Sequence, residues 1–279
     1  MKIATLANII TSDKNNGRMT LIPFLPAAFP EANLFWSTLT ELSENGAGII
    51  EIGVPFSDPV ADGPQVAAAS EIALKNGGSL AYILAGLAEK RAKLECGLVL
   101  MGYVNPFIQY GWANARRKKK EVSLVEIIET SLDILAEKLA RVAVQGLIVP
   151  DLPLEESEIW LKVLKKYGLT LIALVGPNTS FEKMKNYAEA GVGGYVYVVS
   201  VLGTTGERSE LPLEVTRTLT RARGAFNLPL ALGFGLNSPR QLDYLPANLK
   251  PEAVIFGSSL IRHLEQGHSV AAFMEPWRK

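Results

Sequence analysis

Residues 49–64, IIEIGVPFSDPVADGP, hold carboxylates in unlike settings. Glu51 stands among Ile49, Ile50, Ile52 and Val54, so it projects from a segment built to be buried. A carboxylate there is costly unless it is paired, hydrogen-bonded or protonated. Burial also lifts its pKa towards neutrality, where a general acid or base works best. An ion pair inside the core is the structural alternative, but the eight apolar runs of the chain contain no Lys or Arg to form it. That absence favours proton transfer as the role of Glu51. Asp62, between Ala61 and Gly63, reads on its own as a helix cap or turn residue, and Asp58, between Ser57 and Pro59, more readily still as a turn residue.

A second kind of chemistry is written in glycines. Three apolar runs of the second half end in small residues, in SVLGTTGER (200–208), LGFGLNSP (232–239) and FGSS (256–259). Gly206, Gly235 and Gly257 would let backbone N–H groups approach an anion closely, and Ser258 opens a helical segment, SSLIRHLEQG. Each cluster alone could be a tight turn; together, at successive strand ends, they point to a phosphate. Other strand ends supply Tyr103, Asn105, Asp151 and Tyr197, with Asp151 expected as a hydrogen-bonding partner inside the core. Phe24, Leu100 and Tyr197 are expected to border an apolar cavity. The chemistry implied is proton transfer, without metal, on a phosphorylated substrate with a flat apolar body.

The elements that must position these groups are eight short apolar runs: TLIPFL, GIIEIGV, GLVLMGYVN, GLIVPD, TLIALVGP, GYVYVVS, LPLALGFG and EAVIFGS. None alternates strictly, which suits parallel strands buried on both faces. Segments of helical period lie between them, such as PEANLFWSTLTELSENG and SFEKMKNYAEAG, the latter with Ser180 as its N-cap. Repeated strand–helix alternation predicts an α/β fold of the (β/α)8 TIM-barrel class, one domain over 1–279. An open doubly wound sheet is disfavoured, because the first strand lacks a glycine-rich dinucleotide fingerprint. The stretch 111–146 is too long for one covering helix. Its apolar period through Val122, Val125, Ile128, Leu132 and Leu135 predicts a helical insertion or extension after strand 3, near 112–135.

Lys+Arg and Asp+Glu balance at 28 each, so no overall field favours nucleic acid or an anionic membrane. The basic run RRKKK at 116–120 has no aromatic platform or second basic stripe beside it and reads as a solvated surface. A single cysteine, Cys96, excludes an internal disulfide, and His263 and His268 alone make no zinc-ligand set. No apolar stretch reaches the roughly 18 residues of a membrane span, and a soluble cytoplasmic protein is expected.

Taken in order, IIEIGVPFSDPVADGP, LMGYVNP, GLIVPDLPLEE, YVYVVSVLGTTG, LGFGLNSP and VIFGSS resemble the motifs of the tryptophan synthase alpha subunit family, at similar spacing outside the insertion. The resemblance runs from about Met19 to Leu264. It implies a lyase that cleaves indole-3-glycerol phosphate to indole and glyceraldehyde 3-phosphate by a retro-aldol reaction. It implies Glu51 and Asp62 as the catalytic pair, Gly206, Gly235, Gly257 and Ser258 as the phosphate cradle, and Phe24, Leu100, Tyr103 and Tyr197 around the indole. It also implies a beta-subunit partner that carries pyridoxal phosphate, an alpha2-beta2 assembly, no cofactor in this chain, a TTGER lid, and a partner-contacting loop that includes Pro55 and Asp58.

Two departures accompany the resemblance. The family's Thr-Ala-Gly-Asp-Pro-like turn after strand 1 is LPAAFP here, with Phe29 in the aspartate's place, and the segment RRKKKEVSLVEIIETSLDIL is unusual. Two other readings stay open at this level: a stand-alone lyase that releases free indole, and a non-catalytic phosphate-binding barrel.

Overall fold

The computed structural model describes residues 4–118, 123–199, 213–233 and 235–278, with backbone alone over 114–118. Its strands are β1 (Thr20–Pro26), β2 (Ile49–Gly53), β3 (Gly97–Met101), β4 (Gly146–Ile148), β5 (Thr170–Leu171), β6 (Ala173–Val175), β7 (Val196–Val199), β8 (Leu230–Gly233) and β9 (Ala253–Phe256). All pairings are parallel, in the order β5-β4-β3-β2-β1-β9-β8-β7-β6. The two end strands are halves of one run, separated only by Ile172, so the sheet closes through that run into a barrel of eight strand positions. Nearly every strand residue is buried, as strands covered by a barrel interior on one face and helices on the other require.

Helices follow the strands: α1 (Leu6–Asn15) precedes β1, α2 (Ala32–Glu44) follows it, and α3 (Pro64–Lys75) and α4 (Leu80–Lys90) follow β2. Next come α5 (Val104–Lys118), α6 (Leu124–Arg141), α7 (Glu158–Lys166), α8 (Phe181–Ala190), α9 (Leu213–Ala225), α10 (Ser258–Glu265) and α11 (Val270–Met274). Ser180 caps α8 as expected, its hydroxyl accepting from the Lys183 N–H at 3.1 Å. Among the described residues between β8 and β9 the chain makes two short 3-10 turns, Pro239–Tyr244 and Ala247–Leu249.

The overlong unit proves to be the helix pair α5–α6, and the expected insertion near 112–135 falls on the end of α5 and the larger part of α6. Ser123 and Glu126 form a capping box that starts α6. The helices approach so closely that a Cβ on Gly111 would lie 2.4 Å from the Ser131 carbonyl oxygen. Leu132, Leu135 and Leu139 are buried on the expected stripe, but Val125 is 55% exposed, so the packed period begins a turn later than the sequence spacing suggests. Val122 lies outside the described residues.

Candidate active site

The strand register decides which side chains meet. Phe24, Glu51, Val99 and Gly146 stand in one row across β1 to β4, and Leu25, Ile52, Leu100 and Leu147 in the next. Successive residues of a strand face opposite sides. Phe24 borders a cavity at the C-terminal end of the barrel, so Leu100 faces away from it. The expected place of Leu100 beside the apolar cavity is therefore corrected: Met101, one residue on, lines the site instead. The cavity lies between Phe24, Met101, Tyr197 and Val66, with Asp62, Gln65, Gly257 and Ser258 as its polar edge. A smaller hollow adjoins it behind Asp62, bordered by Gly53, Pro55, Ser70 and Tyr103.

Glu51 is fully buried below this cavity. The Tyr195 hydroxyl donates to its Oε1 at 2.5 Å, and its Oε2 has no hydrogen-bond partner among the described residues. Among the described residues no cation answers the charge, and desolvation pushes the carboxyl up to about 8, only partly offset by the Tyr195 hydroxyl. The Tyr195 and Tyr197 hydroxyls are themselves pushed well above the ordinary tyrosine value, first by burial and then by the nearby Glu51 charge. Both therefore stay neutral. Tyr195 escaped the sequence reading; the spacing Tyr195-Val196-Tyr197, which sends both rings to one face, was the available signal.

Asp62 sits on the loop between β2 and α3. It is not the N-cap of α3: Gly63 holds that position and Pro64 begins the helix. The Tyr103 hydroxyl donates to Asp62 Oδ2 at 3.1 Å and accepts from the Ala61 N–H at 3.0 Å. Burial pushes the Asp62 carboxyl up to about 6, with the Tyr103 hydrogen bond acting the other way. At neutral pH the barrel therefore holds one protonated carboxyl, Glu51, in its interior and one carboxylate, Asp62, at its mouth. Environments that push two acids apart in this way separate the donor from the acceptor.

Across the cavity, Gly257 and Ser258 begin α10, so the unpaired N–H groups and dipole of its first turn face the site. Gly235 has φ +83°, a conformation that favours glycine, on the loop after β8. Gly206 and the TTGER segment lie outside the described residues. Asp151 is not inside the core. Its Oδ1 accepts from the Val104 N–H at 2.9 Å and holds the start of α5 at the barrel mouth.

The loop 55–62 separates its two expected contact residues. Pro55 is buried, and its ring packs towards Gly78. Asp58 is exposed, accepting from the Ser57 hydroxyl at 2.5 Å, and Val60 beside it is 86% exposed. The departure at Phe29 also has a physical account. Phe29 is fully buried, and its turn is fastened by the Asn76 side chain, whose Nδ2 donates to the carbonyls of Ala28 and Pro30 at 3.0 and 2.8 Å.

Gly53 provides a direct test of cavity shape. A Cβ there would lie 2.7 Å from Phe24 Cζ and 3.2 Å from Pro26 Cα, and only the ring has room to move. Gly53→Ala is expected to push the Phe24 ring into the cavity and lower kcat/KM about tenfold or more, by analogy with the cost of overpacking. Steady-state kinetics beside a melting curve checks this; unchanged kinetics would show that Phe24 does not shape the site.

Among the described residues no group of His, Cys, Asp and Glu could hold a metal ion, and no helix is long and apolar enough to cross a membrane. The family model for the tryptophan synthase alpha chain matches residues 10–275. The tryptophan synthase alpha chain of Desulfovibrio desulfuricans is 55% identical over 262 residues, 94% of each chain. That of Nitratidesulfovibrio vulgaris is 49% identical over 277 residues, 99% of each. Among solved structures, tryptophan synthase from M. tuberculosis, in an open form, is 29% identical with a TM-score of 0.81, covering 99% of this chain and 98% of that one. The tryptophan synthase alpha subunit of Legionella pneumophila is 27% identical with a TM-score of 0.80, covering 99% and 97%. On sequence along nearly its whole length, and on the barrel that the sequence forms, the chain belongs to the tryptophan synthase alpha chain family.

Proposed function

We propose that this chain cleaves indole-3-glycerol phosphate to indole and glyceraldehyde 3-phosphate, with Glu51 as proton donor and acceptor and Asp62 as the partner of the ring nitrogen. The observation that carries this reading is the opposed pair of acids, Asp62 ionised above about 6 on the edge of an apolar cavity and Glu51 held protonated to about 8 in the strand row of Phe24 beneath it, with Tyr197 near both. Glu51 gives its proton to indole C3, which becomes tetrahedral. The positive charge that appears on the ring nitrogen is balanced by the Asp62 carboxylate, which accepts the N–H. The emptied Glu51 carboxylate then takes the proton of the glycerol hydroxyl next to the ring. The C–C bond pair returns to the ring as the C2=C3 double bond, an aldehyde forms on the other fragment, and no water or redox partner is consumed. Phe24, Met101 and Tyr197 flank the flat ring. Gly257 and Ser258 at the α10 N-terminus, with Gly235, hold the phosphate. Gly206 belongs to the same proposal by its motif alone.

Indole released at this mouth would pass to a beta subunit that carries the pyridoxal phosphate, while this chain binds no cofactor. The exposed loop tip around Asp58 and Val60 is the surface offered to that partner, and a cytoplasmic location fits such a biosynthetic role. Indole release by the purified chain, with and without a beta subunit, separates the subunit from a stand-alone lyase. Stimulation by the partner is expected; full turnover of the chain alone would remove the subunit reading.

A further inference from the structure

Ser70 lies in the second turn of α3 and is 5% exposed, between the fully buried Ala69 and Ala73. A serine inside a helix usually turns its hydroxyl back to the carbonyl four residues earlier or out to water. This one reaches sideways to the loop instead. Its Oγ accepts from the Phe56 N–H at 3.2 Å and donates to the Phe56 carbonyl at 3.4 Å. The Phe56 ring in turn leans on the Tyr103 ring, with centroids 5.3 Å apart and planes tilted by 33°. The Tyr103 hydroxyl closes the circuit on the Ala61 N–H and on Asp62 Oδ2. The loop 55–62 is therefore held at its start by Ser70 and at its end by Tyr103, while its middle, Ser57 and Asp58, is exposed.

We propose that Ser70 is a positioning residue for the cleavage: it fixes the start of the 55–62 loop and, through Phe56 and Tyr103, the place and dryness of the Asp62 carboxylate. The inference rests on the reading of Asp62 given above. Ser70, Tyr103, Val66 and Asp62 border one small hollow, so a loosened loop would admit water directly behind the carboxylate. Among the described residues the groups that face Asp62 are Tyr103, hydrogen-bonded to it, and Tyr197, which feels its charge; the Asp151 charge also reaches Tyr103, and Glu51 lies deeper in the barrel. Removing the hydroxyl does not unmake the helix, because alanine is the better helix former.

The test is a double-mutant cycle on the full-length chain, with indole release measured across pH. Ser70→Ala is expected to lower kcat about tenfold with KM within about twofold. Its melting temperature should stay within a few degrees of wild type. The acid limb of its pH profile should move down towards the ordinary carboxylate range as Asp62 gains water. Ser70→Thr, which keeps the hydroxyl, should recover most of the rate. In an Asp62→Asn background, adding Ser70→Ala should cost less than about twofold, because both act through one carboxylate. A wild-type rate and acid limb in Ser70→Ala, or the same tenfold loss with and without Asp62, would overturn the inference and leave the proposed reaction standing. Wild-type cleavage by Asp62→Asn alone would instead remove the role of Asp62 on which it rests.

Discussion

Glu51→Gln is expected to lower kcat for indole release by roughly three to four orders of magnitude, the upper range for loss of a positioned acid–base group. The reason is specific to this barrel. Glu51 is fully buried, has no basic partner among the described residues, and is held protonated up to about 8, so at neutral pH it is a neutral acid with a proton to give. Gln matches the shape of that acid and can still accept from the Tyr195 hydroxyl, but it carries no acidic proton and no carboxylate to receive one. Substrate binding should change little, so the loss belongs in kcat. Stability provides an independent readout. The native carboxyl holds its proton to about 8, against 4.5 in the unfolded chain, so between those values the folded state binds more protons. Wild type therefore loses stability as pH rises from about 4.5 to about 8, by an amount on the order of a few kcal/mol. Glu51→Gln should lack that slope. Denaturant midpoints of the two proteins at pH 5 and pH 9 measure it; parallel behaviour would mean that Glu51 is ionised in the folded protein.

The second large effect belongs to Asp62. Asp62→Asn should lower kcat roughly 10²- to 10³-fold, as loss of a charge aimed at a developing cation does. It should also change the shape of the pH profile. In wild type the rate rises as Asp62 ionises near about 6 and falls as Glu51 loses its proton near about 8, giving a bell. Asn cannot titrate, so the variant's residual activity should keep the alkaline limb and lose the acid one. An acid limb that survives Asp62→Asn would assign that titration elsewhere and withdraw Asp62 from the chemistry.

Legibility in the sequence followed how local each property was. Glu51 was legible because its neighbours are apolar and the strands offer no cation, a statement about composition that folding cannot reverse. The turn residues at α10 and the cap at Ser180 were legible for the same reason, since a helix start is decided within a few residues. Asp62 was not. As a residue before Gly-Pro it looks like a cap; burial in the folded barrel raises its pKa, and the Tyr103 hydroxyl, 41 positions away in the chain, partly offsets that rise. The indole-side assignment went wrong by one residue, Leu100 for Met101, because an apolar run without alternation does not declare its inward phase. The burial of Pro55 was not legible for a related reason: proline marks a loop, but whether a loop residue is covered depends on what folds over it.

The amino-acid sequence by itself determined the barrel, through repeated apolar runs and helical segments, and placed a lone acid in its second strand. It also set the small residues at the late strand ends, to which the proposed reaction assigns the phosphate. Tertiary structure decided the rest: that Tyr195, 144 positions away, meets Glu51, that Tyr103 meets Asp62, and that Ser70 holds the loop between them. The division has one physical cause. Burial tendency and turn formation are properties of short segments, whereas a pKa, a hydrogen-bond partner and a cavity wall are set by atoms that only closure of the barrel brings within a few ångströms.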